Sequence, residues 1–383
     1  MSQKRNVFEE VSEQPSPGNA GPKTGGIDAA PKGARRAVRV WLMILFAMVM
    51  AMIVVGGLTR LTDSGLSITE WQPVKGALPP MSAEAWDIEF EKYKQIPEYQ
   101  LQNKGMSMAE FKAIYWWEWG HRLLGRVIGL VWAAGFGFFW ATGRIPTGWT
   151  RRLFFIGVLG GLQGAIGWWM VASGLTGERL DVASYRLATH LGLAFVILGF
   201  IAWYVFSLGR SEAALMQARR SREPKLFSMG TGLMHFAFLQ ILLGALVAGI
   251  DAGRTYTDWP LMAGGFLPPD MFDLSPVWRN FFEDPGLVQF MHRMSGYLLL
   301  IFGIVAWRRS RTSGNFATKR AFDWVLVMMF GQMVLGIGTV IYAAPLGIAI
   351  VHQVGAVVLW VLILRARHRA QYPLQQSVKG TAA

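Results

Sequence analysis

The 383-residue chain has no cysteine, which excludes disulfides, thiolate metal ligands, iron–sulfur clusters and thiol redox chemistry. It is also poor in charge. Only 16% of its residues are charged, against about 25% in soluble domains. Acidic residues are the scarcer sign, 24 against 37 Lys and Arg. Taken with 52% hydrophobic residues, 17 Trp and 24 Phe, this scarcity describes a polytopic membrane protein rather than a soluble domain. The formal charge of +13 does not indicate nucleic acid. The basic residues sit in short loops between apolar runs, as membrane topology requires. The first 37 residues are polar and rich in Pro, Gly and Ala. They lack the apolar core of a signal peptide and read as a disordered cytoplasmic tail.

What is present is a set of eight apolar segments, each near the roughly 20 residues a spanning helix needs. They lie at 38–58, 115–141, 152–173, 184–208, 228–250, 286–308, 321–343 and 346–366. The expected fold is all-α. Basic residues concentrate in the N-terminal tail, at Arg144/Arg151/Arg152, in the Arg210–Lys225 and Arg308–Arg320 loops, and at Arg365/Arg367/Arg369. The other connections are the 60–114, 174–184 and 251–284 loops, where acidic residues outnumber basic ones, and a tight turn at Ala344-Pro345. The positive-inside rule therefore places both termini in the cytoplasm. Within the long outer loop, Ser82–Lys94 reads as an amphipathic helix opened by an N-cap serine, with Trp86, Phe90 and Tyr93 on one side.

The spans repeat as two sets of four. Thr69-Glu70-Trp71 with Leu78-Pro79-Pro80 matches Thr257-Asp258-Trp259 with Leu267-Pro268-Pro269. Gln163-x-x-x-Gly167 echoes Gln332-x-x-x-Gly336, and Thr189-His190-Leu191-Gly192 parallels Val351-His352-Gln353-Val354-Gly355. An even number of spans per repeat puts both copies the same way up, related by a pseudo-twofold axis along the membrane normal. The expected organisation is a tail at 1–37, a four-helix half at 38–208 with its outer loop 60–114, and a basic linker at 209–227. A second four-helix half follows at 228–366, then a cytoplasmic tail at 367–383.

Chemistry concentrates at His121, His190, His292 and His352. Each lies about six residues from the outer end of an even-numbered span, roughly 9 Å below the surface at 1.5 Å per residue. Each half thus presents two imidazoles at one depth, as axial ligation of a haem requires. Nearby Gly125, Gly192, Gly296 and Gly355 leave room for a porphyrin face, and Trp116, Trp117, Trp168 and Trp169 are candidates to line it. Arg122 and Arg293 follow two of the histidines and are candidate partners for propionates. His235 reads as a core hydrogen-bonding residue and His368 as a solvated tail residue. The halves differ in one informative place. Glu118 precedes His121 by three residues, whereas Gln289 precedes His292. A carboxylate can take a proton and an amide cannot, so acid–base chemistry belongs in the first half and electron transfer in the second.

The segment Val55-Gly56-Gly57-Leu58-Thr59-Arg60-Leu61-Thr62, the Glu118-x-x-His121-Arg122 pair, and Gly244-Ala245-Leu246-Val247-Ala248-Gly249 followed by Trp259-Pro260-Leu261-Met262 resemble the haem A synthase family, in its alphaproteobacterial and mitochondrial form. The resemblance implies an eight-span oxidoreductase that converts a methyl group of haem O to the formyl group of haem A by successive hydroxylations, for haem-A terminal oxidases. It implies haem b on His292 and His352, and substrate haem between His121 and His190 with Glu118 beside it. It further implies haem O synthase, an unidentified electron donor or acceptor and oxidase assembly factors as partners; self-association is left open. Many bacterial members carry a cysteine pair in the first outer loop that this chain lacks. Two other readings use the same histidines: a di-haem, quinol-linked cytochrome b that only transfers electrons, and a transporter with a histidine proton relay.

Overall fold

The computed structural model describes residues 33–177 and 179–376. Most of the expected N-terminal tail, and residues 377–383 of the C-terminal one, lie outside the described residues. The helices are α1 (Ala34–Leu61), α2 (Ala83–Tyr93), α3 (Pro97–Leu101), α4 (Met108–Ala141), α5 (Thr150–Val171), α6 (Ser184–Leu208), α7 (Glu212–Arg220), α8 (Pro224–Gly249), α9 (Asn280–Glu283), α10 (Pro285–Ser310), α11 (Phe316–Ile341) and α12 (Leu346–Gln371). Eight of them, α1, α4, α5, α6, α8, α10, α11 and α12, are long and apolar enough to cross a membrane. The chain is an all-α, multi-pass membrane protein.

Every span except α6 runs beyond an expected end, and at α4 and α12 the extension has structural consequences. α4 starts at Met108 because Ser107 and Glu110 form a capping box: the Glu110 N–H donates to Ser107 Oγ (3.3 Å) and the Ser107 N–H to Glu110 Oε2 (2.8 Å). This satisfies end groups that would otherwise lack partners. α12 continues to Gln371, so the expected tail from 367 begins as helix. His368 is accordingly buried, not solvated, against Trp203 (4.9 Å) and Phe206 (5.7 Å) of α6. His235, expected in the core, is exposed on α8. It stands five residues from Gln240, about 140° around a helix of 3.6 residues per turn, and so faces away from the inward side.

In the first half α1 packs on α4 and α6, and α5 lies between α4 and α6; in the second, α8 packs on α10 and α12, and α11 lies between α10 and α12. Each half is therefore a ring of four helices with its two histidine-bearing members on the diagonal. The halves meet through α6–α8, α1–α12 and α6–α12, a set that maps onto itself when the halves are exchanged. Small residues allow this approach. A methyl group at Gly199 would stand 3.1 Å from Trp360, and one at Gly249 would stand 2.9 Å from Ser184 Cα. In a bilayer, where lipid tails are as apolar as leucine, such packing and interhelical hydrogen bonds supply the association energy. One such bond runs from Gln353 Nε2 to Ile53 O (2.6 Å). At the long-loop end, Arg60 closes the seam with ion pairs to Asp251 of the other half (2.7 Å), Asp63 (2.8 Å) and Asp181 (3.4 Å).

The 62–107 loop folds as a cap on the first half. α2 forms with Ser82 as N-cap, its Oγ accepting from Ala85 N–H at 3.1 Å. Its buried Trp86, Phe90 and Tyr93 share one face, as expected. They pack on Phe111 and Tyr115 of the extended α4, with Phe90 stacked on Phe111 at 4.7 Å.

Candidate functional site

The four histidines sit half-buried on the even-numbered spans α4, α6, α10 and α12. His121 and His190 belong to one ring of helices, and His292 and His352 to the other. What makes room for each ring is a glycine on the span preceding it. A methyl group at Gly56 would stand 2.9 Å from His121 Cε1, and one at Gly167 would stand 2.8 Å from His190 Cε1. In the second half the distances are 3.0 Å from Gly244 to His292 and 3.3 Å from Gly336 to His352. The first two approaches are closer than a side-chain carbon tolerates and the other two are tight, so the four glycines set how deeply the imidazoles seat.

The sequence-derived glycines do something else. Gly125 receives the methyl of Met52, Gly192 receives Leu242 and Phe238, Gly296 receives Gln240, and Gly355 receives Gln332 and Met328. They pack helices together. Gly56, by contrast, is a histidine neighbour. The signal that finds the active set is the Gln-x-x-x-Gly spacing of α5 and α11, which recurs at Gln240-x-x-x-Gly244 and, with methionine, at Met52-x-x-x-Gly56.

Polar partners around the rings are few. Gln163 Nε2 donates to His190 O (3.0 Å) and stands 3.4 Å from His190 Nε2. Gln240 Nε2 donates to His292 O (3.0 Å) and stands 3.1 Å from His292 Nδ1. The Nδ1 atoms of His121, His190 and His352 are buried without a partner. A buried imidazole with no protein partner is ordinarily costly. Two such imidazoles on diagonal helices of a four-helix ring would suit a planar ligand carrying a metal at its centre.

Glu118 is buried, 3% exposed, and both its oxygens are engaged. Oε2 accepts from Ser67 Oγ (2.7 Å) and the Ile68 N–H (2.8 Å). Oε1 accepts from Arg122 Nε (3.0 Å) and Nη2 (2.6 Å). Arg122 continues to Ile68 O (2.8 Å) and Glu70 O (3.2 Å). The second half repeats this clamp with opposite polarity. Gln289 Nε2 donates to Ala252 O (2.8 Å) and Tyr256 O (3.1 Å), and its Oε1 accepts from Arg293 Nη2 (2.9 Å). Arg293 also donates to Asp258 O and Leu261 O, both at 3.0 Å. Loop donors thus meet the carboxylate and loop carbonyls meet the amide. Arg122 and Arg293 are held by these loops beside the histidines.

Of the candidate lining aromatics, Trp168 lies by the clamp, edge-on to Trp71 (5.3 Å) with the Arg122 guanidinium over it (5.8 Å). Trp116 turns instead to Trp86 of α2 (5.7 Å), Trp117 is exposed, and Trp169 is exposed beneath Arg186 (4.5 Å). Sequence reading missed Glu98 in the cap. It is 3% exposed, accepts weakly from Asn103 Nδ2 (3.4 Å), and its Oε2 has no partner. Burial, with the negative charges of Asp181, Glu118 and Asp63, pushes its carboxyl up to about 8.

Residues 39–364 match the model of the cytochrome oxidase assembly protein family. The chain is 70% identical to a protein of Dinoroseobacter shibae, covering 100% of both chains. It is 65% identical to one of a Ruegeria species, covering 98% of this chain and 99% of that one. It is 63% identical to one of Paracoccus denitrificans, covering 99% of each. All three relatives are named haem A synthase.

Proposed function

Because the chain belongs to the cytochrome oxidase assembly protein family, we propose that it acts as its relatives are named, as a haem A synthase that oxidises a methyl group of haem O to the formyl group of haem A. The observation that carries this reading is the duplicated ring of helices in which each of two diagonal spans carries a half-buried histidine, with a carboxylate one turn from a histidine in only one copy. His121 and His190 hold the substrate in the first half. His292 and His352 hold a haem b in the second, which supplies one-electron redox chemistry when bound. The protein's share of the work is to position the substrate methyl, exclude lipid and water, and move protons. We assign proton acceptance to Glu118. Its carboxylate stays anchored to Arg122 through Oε1, while Oε2 exchanges hydrogen bonds with the Ser67 hydroxyl. Arg122 and Arg293 hold the outer loops over the two sites and stand where propionates would meet them.

The membrane reading extends to orientation: both termini and the basic loops face the cytoplasm of a bacterial inner membrane, and the cap lies outside. Haem O synthase, an electron partner and oxidase assembly factors are the partners this chemistry calls for. The experiment is co-expression with a haem O synthase in a host that makes no haem A, followed by chromatography of extracted haems. Haem A should appear with the wild-type chain and be absent with His121→Ala or His190→Ala. Haem A from either variant at wild-type yield would refute the assignment of the substrate site. A di-haem electron carrier would yield no haem A from any form.

A further inference from the structure

Two loop segments that mark the internal repeat take no part in the chemistry. Residues 68–81 carry Thr69-Glu70-Trp71 and Leu78-Pro79-Pro80, and residues 257–269 carry Thr257-Asp258-Trp259 and Leu267-Pro268-Pro269. Neither segment contains α-helix. Both turn large apolar side chains outward: Val74 is 82% exposed, Leu78 75% and Phe266 64%, and Trp71 and Trp259 are exposed as well. Apolar surface gathered in this way calls for something to cover it. The anchors of the two segments show how deep they lie. Arg126 on α4 donates to Pro73 O through Nε (2.9 Å) and to Gln72 O through Nη2 (3.1 Å). In the second half Tyr297 follows His292 as Arg126 follows His121, and its hydroxyl accepts from Trp259 Nε1 (2.7 Å). Arg126 stands 15 residues before the far end of α4 at Ala141, and Tyr297 stands 13 before that of α10 at Ser310. At 1.5 Å per residue these lengths are about 22 and 20 Å, short of the roughly 30 Å of a hydrocarbon core. Both anchors therefore root inside the core. Their side chains lean toward the helix N-terminus, which brings the loops to the core's edge.

We propose that segments 68–81 and 257–269 are wedged into the lipid leaflet at the long-loop end, with Trp71 and Trp259 at its interface, and are not lids over water. The inference rests on the membrane-spanning fold and not on the haem reading. Unpaired backbone groups are costly beside hydrocarbon, and these segments leave few. Pro73, Pro79, Pro80, Pro260, Pro268 and Pro269 have no N–H to satisfy. The N–H groups of Gly76, Ala77 and Leu78 donate to Gln72 O (3.1 Å), Val74 O (3.1 Å) and Lys75 O (3.3 Å). Met262 and Gly265 bond one another in both directions, at 2.7 and 3.1 Å. Charge is equally sparse, confined to Glu70, Lys75 and Asp258. Glu70 is paired with Lys92 (3.1 Å), and Asp258 accepts from the Gly264 N–H (3.1 Å). Lys75 has a stem long enough to carry its ammonium to the headgroups. Tryptophan favours that boundary. Val127 and Leu298, beside the two anchors, are exposed on their spans, so the apolar patches continue the lipid-facing surface of α4 and α10. That continuity favours lipid over a soluble partner. Ser67 and Ile68, the donors to Glu118, then adjoin a segment that lipid screens from water.

The absence of native cysteine makes the test direct, since a single introduced thiol can be labelled alone. Val74→Cys, Leu78→Cys and Phe266→Cys each replace an exposed side chain and leave the packing untouched. The full-length variants are labelled with a nitroxide and reconstituted into vesicles of phosphatidylethanolamine and phosphatidylglycerol. Electron paramagnetic resonance then compares collisions with oxygen, which concentrates in lipid, against collisions with a water-soluble nickel chelate. Leu130→Cys, 68% exposed near the middle of α4, is the lipid reference. Lys104→Cys, exposed in the cap, is the water reference. All three positions should give an oxygen-to-nickel ratio several-fold above that of Lys104→Cys and close to that of Leu130→Cys. A ratio like that of Lys104→Cys would overturn the inference, because the loops would then face water. Few collisions with either reagent would overturn it too, because another protein or a second copy of the chain would then cover the patch. Should one variant fail to accumulate, the remaining positions decide.

Discussion

Glu118 is where the two halves differ most in chemistry, and its surroundings change how it must be tested. With Ser67 and Ile68 donating to Oε2 and Arg122 to Oε1, Glu118→Gln places an amide N–H against a donor on one side or the other. The loop clamp then weakens along with proton acceptance. Ser67→Ala separates the two roles, since it removes one loop bond and keeps the carboxylate. We expect Ser67→Ala to reduce haem A formation less than tenfold. Glu118→Gln should reduce it by the roughly 10²–10⁴-fold typical of a lost acid–base group. Equal losses in the two variants, tracked by equal losses of bound haem, would make Glu118 purely a loop anchor. The polarity of the clamp was not legible in the sequence, because the Ser67, Ile68, Ala252 and Tyr256 groups that meet residues 118 and 289 come from distant loops. Glu98 escaped for the same reason: nothing local marks it as buried. Its carboxyl, raised from 4.5 to about 8, keeps its proton in the folded cap at pH values where an unfolded glutamate has lost it. Stability of the cap is therefore greatest below about 4.5 and falls as pH rises through 8. The groups facing it are Tyr93 and Asn103 within the cap, Asp63 in the same loop, Asp181 before α6, and Glu118 on α4. Hydrogen exchange across residues 82–114, corrected for intrinsic rate, should be faster at pH 8 than at pH 5.5. Glu98→Gln should abolish the difference, and a Glu98→Gln protein with the same pH dependence would assign it elsewhere.

Among the helices, the working unit is an odd span presenting glycine to the histidine of the following even span. Bulk at that glycine displaces the ring, because a methyl group alone would already sit 3.0 Å or less from it at Gly56, Gly167 and Gly244. Gly244→Val should strip haem b and spare haem O binding, whereas Gly167→Val should do the reverse. Quantifying each haem type per protein checks both, and loss of both haems from either variant would mean that the halves do not bind independently. Half of this unit could be read from the chain alone. Hydrophobic run length marked the spans, and the His-bearing segments repeat closely enough to align by eye. The glycine partners were harder, since Gly56 and Gly244 sit among other small residues that merely pack. Helix ends were legible only in part. Ser107-x-x-Glu110 is a capping signature, but the burial of His368 depends on Trp203 and Phe206, far away in sequence.

As a whole, the molecule is two rings of helices fused along α1, α6, α8 and α12, with Arg60 bridging the seam at one end. Orientation follows from charge: a reporter that works only in the cytoplasm, fused after Arg220, should be active, and periplasmic activity there would reverse the topology. Division of labour between the rings is the central claim, and it turns on which haem each ring holds. The decisive measurement is chromatography of the haems extracted from purified wild type, His121→Ala, His190→Ala, His292→Ala and His352→Ala. The account predicts haem b together with haem O or haem A in the wild type. It predicts loss of haem b alone from the His292 and His352 variants, and loss of haem O and haem A alone from the His121 and His190 variants. Haem b that persists in the second pair of variants and vanishes in the first, or a wild-type protein carrying haem b only, would contradict it.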